Sequence, residues 1–378
     1  MAIINTRSPF FVSITDSSIS YATLDIEIYT GDKTSDFTGT PDYELKKSKI
    51  GSNTTITFEI AELIRDFLEI LFNGSYSSTN ENYVSKWVRT VITSYDATDT
   101  QISQTIDINL ALNGFNYFEE GNTSPTTSTF ISNKVVFALA DNTYSVPFYT
   151  GNGGQVSFIK DGEVLNTFNL SASDESEEQI VQVSVNDLVN YQNYEERVLT
   201  NANAVVEQSS CLTRFFDEVS VGDIDTISVT GEPDIKVITI SECRYQPYKI
   251  TFINKFGVLQ DMFFFKKAVE AMTTKRETYK GTTINNGSYS ISDHTKRDFN
   301  IQANETIKLS SGYLNEEYNE VFKQMMLSEK VWLTDENDNV LPINIKTSSI
   351  NYKTSLNDKL VEYTIDFDRS YNVINNVR

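Results

Sequence analysis

Residues Arg244 to Phe265 read RYQPYKITFINKFGVLQDMFFF. The stretch reads as two strands joined by a tight turn. Tyr248, Ile250, Phe252 and Asn254 fall on one face of the first strand, and Lys249, Thr251 and Ile253 on the other. Gly257 supplies the backbone freedom that the turn needs. Met262 to Phe265 is a short apolar run that must be largely covered. No side chain here suggests a reacting group, so the first expectation concerns architecture and not catalysis.

The totals agree with a strand-based chain. At 378 residues it is too long for one ordinary core, which predicts two or three domains. Apolar residues make up 39% and aromatics 12%, enough to fill sizeable cores. The aromatics are mostly Phe and Tyr; with abundant Thr, Ile and Val they favour strands. The expected fold class is therefore mainly β, a multi-domain chain of β-sandwich-like modules with a few docked short helices.

The formal charge is −21, which repels nucleic acid and anionic membrane, so no direct nucleic-acid partner is expected. The charge is uneven. From Arg244 to Asn300 ten Lys or Arg stand against five Asp or Glu, a local +5 that leaves −26 on the remainder. One end of such a subunit can meet the opposite end of a neighbour; a solvated basic face accounts for the pattern as simply. Cys211 and Cys243 cannot form a disulfide framework and are expected reduced and buried. The first residues show no signal-peptide pattern, and no run of about 18 apolar residues occurs. Synthesis in the cytoplasm without membrane insertion is expected.

Working outward from the hairpin toward the C-terminus, Lys266 to Gly281 is charged and reads as a short helix or an arm. Thr282 to Asn300 is rich in Asn, Ser and Thr and reads as an irregular loop. Ile307 to Leu309 is a strand. Asn315 is placed to cap a helix on which Tyr318, Val321, Phe322, Met325 and Met326 keep helical spacing. Val331 to Leu333 and Leu341 to Ile345 form a hairpin, and Val361 to Phe367 is the last strand.

On the N-terminal side, Leu24, Ile26 and Ile28 mark a half-buried strand, and Thr54 to Phe58 another. From Glu59 to Phe72 the period changes. Ile60, Leu63, Ile64, Phe67, Leu68 and Leu71 predict a helix of about four turns. Lys86 to Tyr95 and Gln101 to Leu112 flank a hairpin loop at Asp96 to Asp99, and a Ser/Thr-rich linker follows from Gly121 to Ser128. Short strands then run over Val135–Leu139, Thr143–Tyr149, Val156–Lys160, Val164–Leu170 and Ile180–Val185. Asp161-Gly162 is a strong hairpin signal. Ser171 to Glu178 is an acidic loop, and Asn186 to Tyr191 reads as one helical turn. Asp223 to Ile240 adds two strands around Gly231 to Asp234. Ile28 to Gly31 echoes Phe148 to Gly151, and Ile60 to Ile64 echoes Val185 to Val189, as a duplicated module would; chance likeness among strand-rich segments does the same.

Reactive constellations are missing. His294, the single histidine, lies in a polar Ser-Asp-His-Thr-Lys setting and reads as a solvated side chain. Asp335 to Asn339 begins like a calcium loop, but Val340 stands where Gly is required and Lys346 where Glu is. No zinc spacing, phosphate loop or dinucleotide fingerprint exists. Asp223 and Asp225 are a carboxylate pair of the kind an acidic chain contains anyway. The expectation is a chain without catalytic residues, cofactor or metal, and not an enzyme.

The last third carries a familiar order of motifs: Asn254 to Gly257, Asp261 to Phe265, Leu309 to Tyr318, then Leu327 to Leu333. Together they resemble structural proteins of tailed-bacteriophage virions, with the nearest likeness to tail and baseplate proteins, including distal-tail-like adaptors built from β-sandwiches. The resemblance covers roughly Arg244 to Arg378 and contains no catalytic signature. It implies assembly in rings and a place in the virion, with partners in the same chain and in other tail proteins. On this reading the chain has modules at 1–120, 129–240 and 241–378. Its candidate subunit interface comprises Met262, Phe263, Phe264, Lys266, Lys267, Lys275 and Arg276, although the Phe run reads equally well as a core strand. A neck or collar protein of the same virion and a carbohydrate-binding or adhesion module are the rival expectations.

Overall fold

The computed structural model describes residues 2–30, 33–34, 36–74, 85–139, 145–149, 154–169, 180–184, 224–240, 244–335, 337–352 and 360–374. Among the described residues strands hold 52% and helices 6%, so the fold class is mainly β with several sheets, as expected. The chain divides into two units. One comprises Met1–Ser241, Thr251–Met262 and Glu317–Glu329; the other comprises Glu242–Ile250, Phe263–Glu316 and Lys330–Arg378. The segments expected as separate modules at 1–120 and 129–240 thus fall within the first unit.

The first unit opens with a five-stranded sheet in the order Ile3–Asn5, Gln101–Leu112, Ser85–Tyr95, Tyr21–Tyr29, Tyr43–Ser48. Its first pair is parallel and the others antiparallel. Along Tyr21–Tyr29 alternate residues turn inward, so Ala22, Leu24 and Ile26 are buried. They meet Val12, Ile14, Ile56 and Phe58, from the antiparallel pair Phe11–Thr15 and Thr55–Glu59, together with Ile60, Ile64 and Leu68. A sheet, a two-stranded ribbon and one helical turn thus enclose one core. Each fully buried Leu, Ile or Phe there contributes about 1.5–3 kcal/mol.

The helix expected from Glu59 to Phe72 is much shorter, Ala61–Arg65. Ile60 and Ile64 keep helical spacing, but from Leu68 onward burial follows a period of two. Ile70 is 1% exposed and Leu71 51%. Leu68, Ile70 and Phe72 line the interior in an extended run, so tertiary packing overrides the helical pattern. The Asp96 loop forms as expected: the Asp96 carboxylate accepts N–H bonds from Thr98 (2.7 Å) and Thr100 (2.9 Å).

A second five-stranded sheet runs Glu163–Asn169, Gln155–Lys160, Thr226–Val229, Ile235–Ile240, Val135–Leu139, with Ser145–Tyr149 paired to Ile180–Ser184 beside it in sequence. Asp161 and Gly162 turn between two of these strands with φ of +50° and +83°, the left-handed pair that this hairpin type requires. The acidic loop 171–178, the turn at 186–191, Cys211, Cys243 and, from the sequence echoes, residues 150–151 and 185–189 lie outside the described residues.

The hairpin quoted first forms as Tyr248–Ile253 and Leu259–Phe264, with Gly257 at φ +81° in its turn. Apart from the half-buried Tyr248, both strands are buried on both faces, and the run Met262 to Phe265 is covered as expected. Its polar side chains are satisfied internally. Thr251 Oγ1 bonds Asp261 Oδ1 at 2.7 Å. Asn254 Nδ2 donates to the Phe130 carbonyl (2.7 Å) and to Gln260 Oε1 (3.0 Å), and Gln260 Nε2 donates to Asn133 Oδ1 (3.1 Å). This network is the condition for burying such groups.

A seven-stranded sheet runs Leu259–Phe264, Tyr248–Ile253, Val331–Thr334, Val340–Ile345, Leu360–Arg369, Lys296–Asn315, Val269–Lys280. Two expectations change here. Asn315 does not cap a helix but ends the 20-residue strand Lys296–Asn315; the helix is Tyr318–Met326, with Glu317 at its N-cap and no side-chain cap. Its buried residues are Tyr318, Val321, Phe322, Gln324 and Met325; helical spacing picked out all of these but Gln324, and also Met326, which is half-buried. Residues 282–300, expected as an irregular loop, contain a small hairpin and the start of that long strand.

Candidate assembly surface

Of the two readings of Lys266 to Gly281, the arm is the one that forms. Val269–Lys280 is a strand of 12 residues, every one exposed. It pairs antiparallel with Lys296–Asn315, from Val269 opposite Lys308 out to Lys280 opposite Lys296. Pairing of Lys296–Asn315 with Leu360–Arg369 begins only at Thr306, and the Val373 amide adds one bond to the Ala303 carbonyl at 3.0 Å. Outward from Gln302 the ribbon is two strands wide among the described residues. The register shifts between Lys275 and Glu277, where Asn300 adopts φ +49°. Such a bulge bends a ribbon and increases its twist. At the tip Ile284–Asn285 pairs with Ser288–Tyr289 around Asn286 (φ +48°) and Gly287 (φ +81°).

The surface of the arm is unusual for a solvated element. Val269, Met272, Tyr279, Ile284, Tyr289, Ile291, Phe299 and Ile301 are all exposed, Tyr289 to 72% and Ile291 to 97%. The rings of Tyr279 and Phe299 meet edge to face at 5.5 Å across the two strands. From Lys275 to Arg297 five Lys or Arg stand against Glu277 and Asp293. Arg276 pairs with Asp298 at 3.1 Å and Arg297 donates to the His294 carbonyl at 3.3 Å.

The structure separates the residues expected at a subunit interface into two sets. Met262, Phe263 and Phe264 are 2%, 2% and 0% exposed and line the interior, with Phe264 edge to face on Phe367 at 5.9 Å. Lys266 is half-buried over the Phe265 ring (5.5 Å), while Lys267, Lys275 and Arg276 face solvent. The exposed apolar residues of the tip were not singled out from sequence. Asn286-Gly287, flanked by Ile284 and Tyr289, is the signal that marks the tip hairpin.

The chemistry-bearing candidates stay apart. His294 is exposed on the arm. Asp335 closes a polar turn, accepting N–H bonds from Asn337 (2.8 Å) and Asn339 (2.9 Å). Among the described residues no three His, Cys, Asp or Glu side chains gather as metal ligands, and no helix is long and apolar enough to cross a membrane. Compared with known proteins, the chain matches no protein-family model and no curated protein.

Proposed function

We propose that the chain is a non-enzymatic structural subunit of a phage tail, at the tail tip or baseplate, acting through protein–protein assembly in a ring of identical copies. On this reading it is made in the host cytoplasm, resides in the virion, and contacts itself and other tail proteins. The observation that carries the assembly role is the exposed ribbon. Two strands alone are marginally stable in water. A ribbon that also holds Ile284, Tyr289 and Ile291 in solvent exposes apolar surface of the kind that marks protein contacts. The basic stretch from Lys275 to Arg297 stands on a chain of charge −21, so the acidic surface of a second copy is electrostatically matched to it. The resemblance in the last third supplies the tail setting.

The test is the mass in solution over a range of concentrations. Lys275 and Gln302 are register partners, so replacing the residues between them by Asn-Gly closes the ribbon early. The full chain is expected as a discrete oligomer several times 42.8 kDa, and the shortened chain as a monomer. Equal masses for the two would remove the arm from assembly. A full chain that stays monomeric at every concentration would count against self-assembly itself.

A further inference from the structure

At the base of the arm, within the second unit, lies an open cleft of about 390 Å³. That volume falls in the range of small-molecule sites, roughly 300–1,000 Å³. Its floor is the exposed sheet face where Lys308 and Ser310 lie beside Thr364 and Glu362, and a register shift between Ser310 and Tyr313 interrupts the strand. Gly312 at φ +71° allows that shift: a Cβ there would stand 2.5 Å from the Phe265 ring. Lys266 and Lys267 form one wall, and the Lys266 amide is fixed to the Ser310 carbonyl at 3.3 Å.

The lining combines three kinds of group. Lys266, Lys267 and Lys308 line one cleft of an acidic chain; the Lys266 ammonium lies 5.5 Å over the Phe265 ring, and Lys308 is 3.4 Å from Asp366. Tyr245 and Tyr313 present rings at the margin, and Tyr313 is 63% exposed. Glu362, which accepts the Ser310 hydroxyl at 2.6 Å, offers a carboxylate, while Ser310 and Thr364 offer hydroxyls. Ammonium groups alone would suit any anion. The carboxylate and the two hydroxyls discriminate: they pair with ligand hydroxyl groups, which an acidic peptide such as polyglutamate does not carry. Aromatic faces suit the apolar side of a sugar ring. The ligand that matches all three is a sugar carrying a negative group. We infer that this cleft binds an anionic saccharide, one with carboxylate, sulfate or phosphate on a hydroxyl-rich ring. The cleft lies at the base of the arm, away from its tip, and shares Lys266 and Lys267 with the candidate subunit interface.

Titration calorimetry of the full chain with a heparin-derived tetrasaccharide tests this, with maltotetraose and hexaglutamate as the neutral and peptidic comparisons. The tetrasaccharide is expected to bind at least tenfold more tightly than either. Lys267→Ala and Tyr313→Ala, both at exposed positions, are each expected to weaken it about tenfold, while the paired change Lys275→Ala and Arg276→Ala on the arm leaves it unchanged. Thermal melting of each variant confirms that it is folded, and Lys267→Glu gives a second reading at the same position. Hexaglutamate binding as tightly as the tetrasaccharide would overturn the inference in favour of an acidic-protein contact. Equal losses from the arm and cleft variants would reduce it to general basic attraction, and no binding at millimolar tetrasaccharide would end it.

Discussion

Gly257 stacks against Gly114 with no space for a side-chain carbon on either. A Cβ on Gly257 would fall 2.6 Å from the Asn113 carbonyl carbon, and one on Gly114 would fall 2.8 Å from the Lys255 carbonyl oxygen. The same approach lets the Phe115 amide donate to Lys255 O at 2.8 Å, so the hairpin turn is stitched to the end of strand Gln101–Leu112. Gly257→Ala incurs two penalties, the left-handed φ of about 1–2 kcal/mol and the backbone clash. A loss of about 3 kcal/mol or more is expected in urea unfolding, in the range reserved for such mechanisms. Gly162→Ala is the control. Its φ is +83° but nothing lies within 4 Å of its Cβ, so only the conformational penalty applies.

Tyr318 anchors the helix Tyr318–Met326 from its first turn. Its hydroxyl oxygen accepts the Phe137 amide at 3.0 Å, and its ring meets Phe137 edge to face at 5.4 Å. Burial pushes the phenol well above its ordinary pKa, so it stays neutral throughout the working range. Tyr318→Phe keeps the ring and removes the hydroxyl that this half-buried amide bonds. A loss of about 1–3 kcal/mol is expected, together with faster hydrogen exchange at Phe137. Unchanged exchange there would show that the bond contributes nothing.

Much of this architecture was legible in the sequence, and the misses share a cause. Alternation located the strands around Leu24 and Val156, and Asp-Gly located the turn at Asp161. Helical spacing found the inward face of Tyr318–Met326. The failures occur where distant chain decides burial. Leu68 fits both a helical and an extended pattern, and only the core that receives Ile70 selects the second. Lys249 and Asp261 sit inside because both faces of their hairpin are covered, which no local pattern reveals. At the candidate surface Lys275 and Arg276 were identified through their charge. Ile284, Tyr289 and Ile291 were missed because the polar residues between them concealed a ribbon whose clearest mark is Asn286-Gly287.

Glu27 holds the segment around Thr38 in place. Its buried carboxylate accepts the Thr38 amide, the Thr38 hydroxyl (2.9 Å) and the Gly39 amide (3.0 Å), and lies 3.7 Å from Arg89. Arg89 in turn covers the Phe37 ring at 4.8 Å. Glu27→Ala leaves these donors and a half-buried guanidinium unanswered, so a loss of about 3 kcal/mol is expected. Trypsin should then cleave after Lys33 at lower urea than in the parent chain. Cleavage at the same urea concentration would mean that other contacts hold the segment.

Asp96 makes the hairpin of Ser85–Tyr95 and Gln101–Leu112 sensitive to acid. Bonds from the Thr100 amide, then from the Thr98 hydroxyl and amide, hold its carboxyl below the ordinary carboxylate range. Asp16 is lowered in the same direction by the Ser18 hydroxyl and amide. A folded pKa below the unfolded value, about 3.9, means that the carboxylate stabilises the fold above that pH. The contribution fades as pH falls through the lowered folded value. Asp96→Asn should therefore lower the urea midpoint at pH 7, with the gap from the parent narrowing below about pH 4. A gap that stays constant from pH 7 to acid would show that the turn bonds do not depend on the charge.

The pair Tyr279 and Phe299 closes the ribbon just beyond its bulge, where no third strand among the described residues supports the two. A cross-strand aromatic pair of this kind contributes about 0.5–1.5 kcal/mol. That is a large share of what holds an exposed hairpin, and a small share of what holds the chain. Tyr279→Ala should therefore leave the melting temperature within about 1–2 °C of the parent, by the usual scaling for large chains. Amide exchange between residues 275 and 302 should rise several-fold, and self-association should weaken in parallel if the arm carries it. Faster exchange with unchanged association would place the subunit contact on another surface.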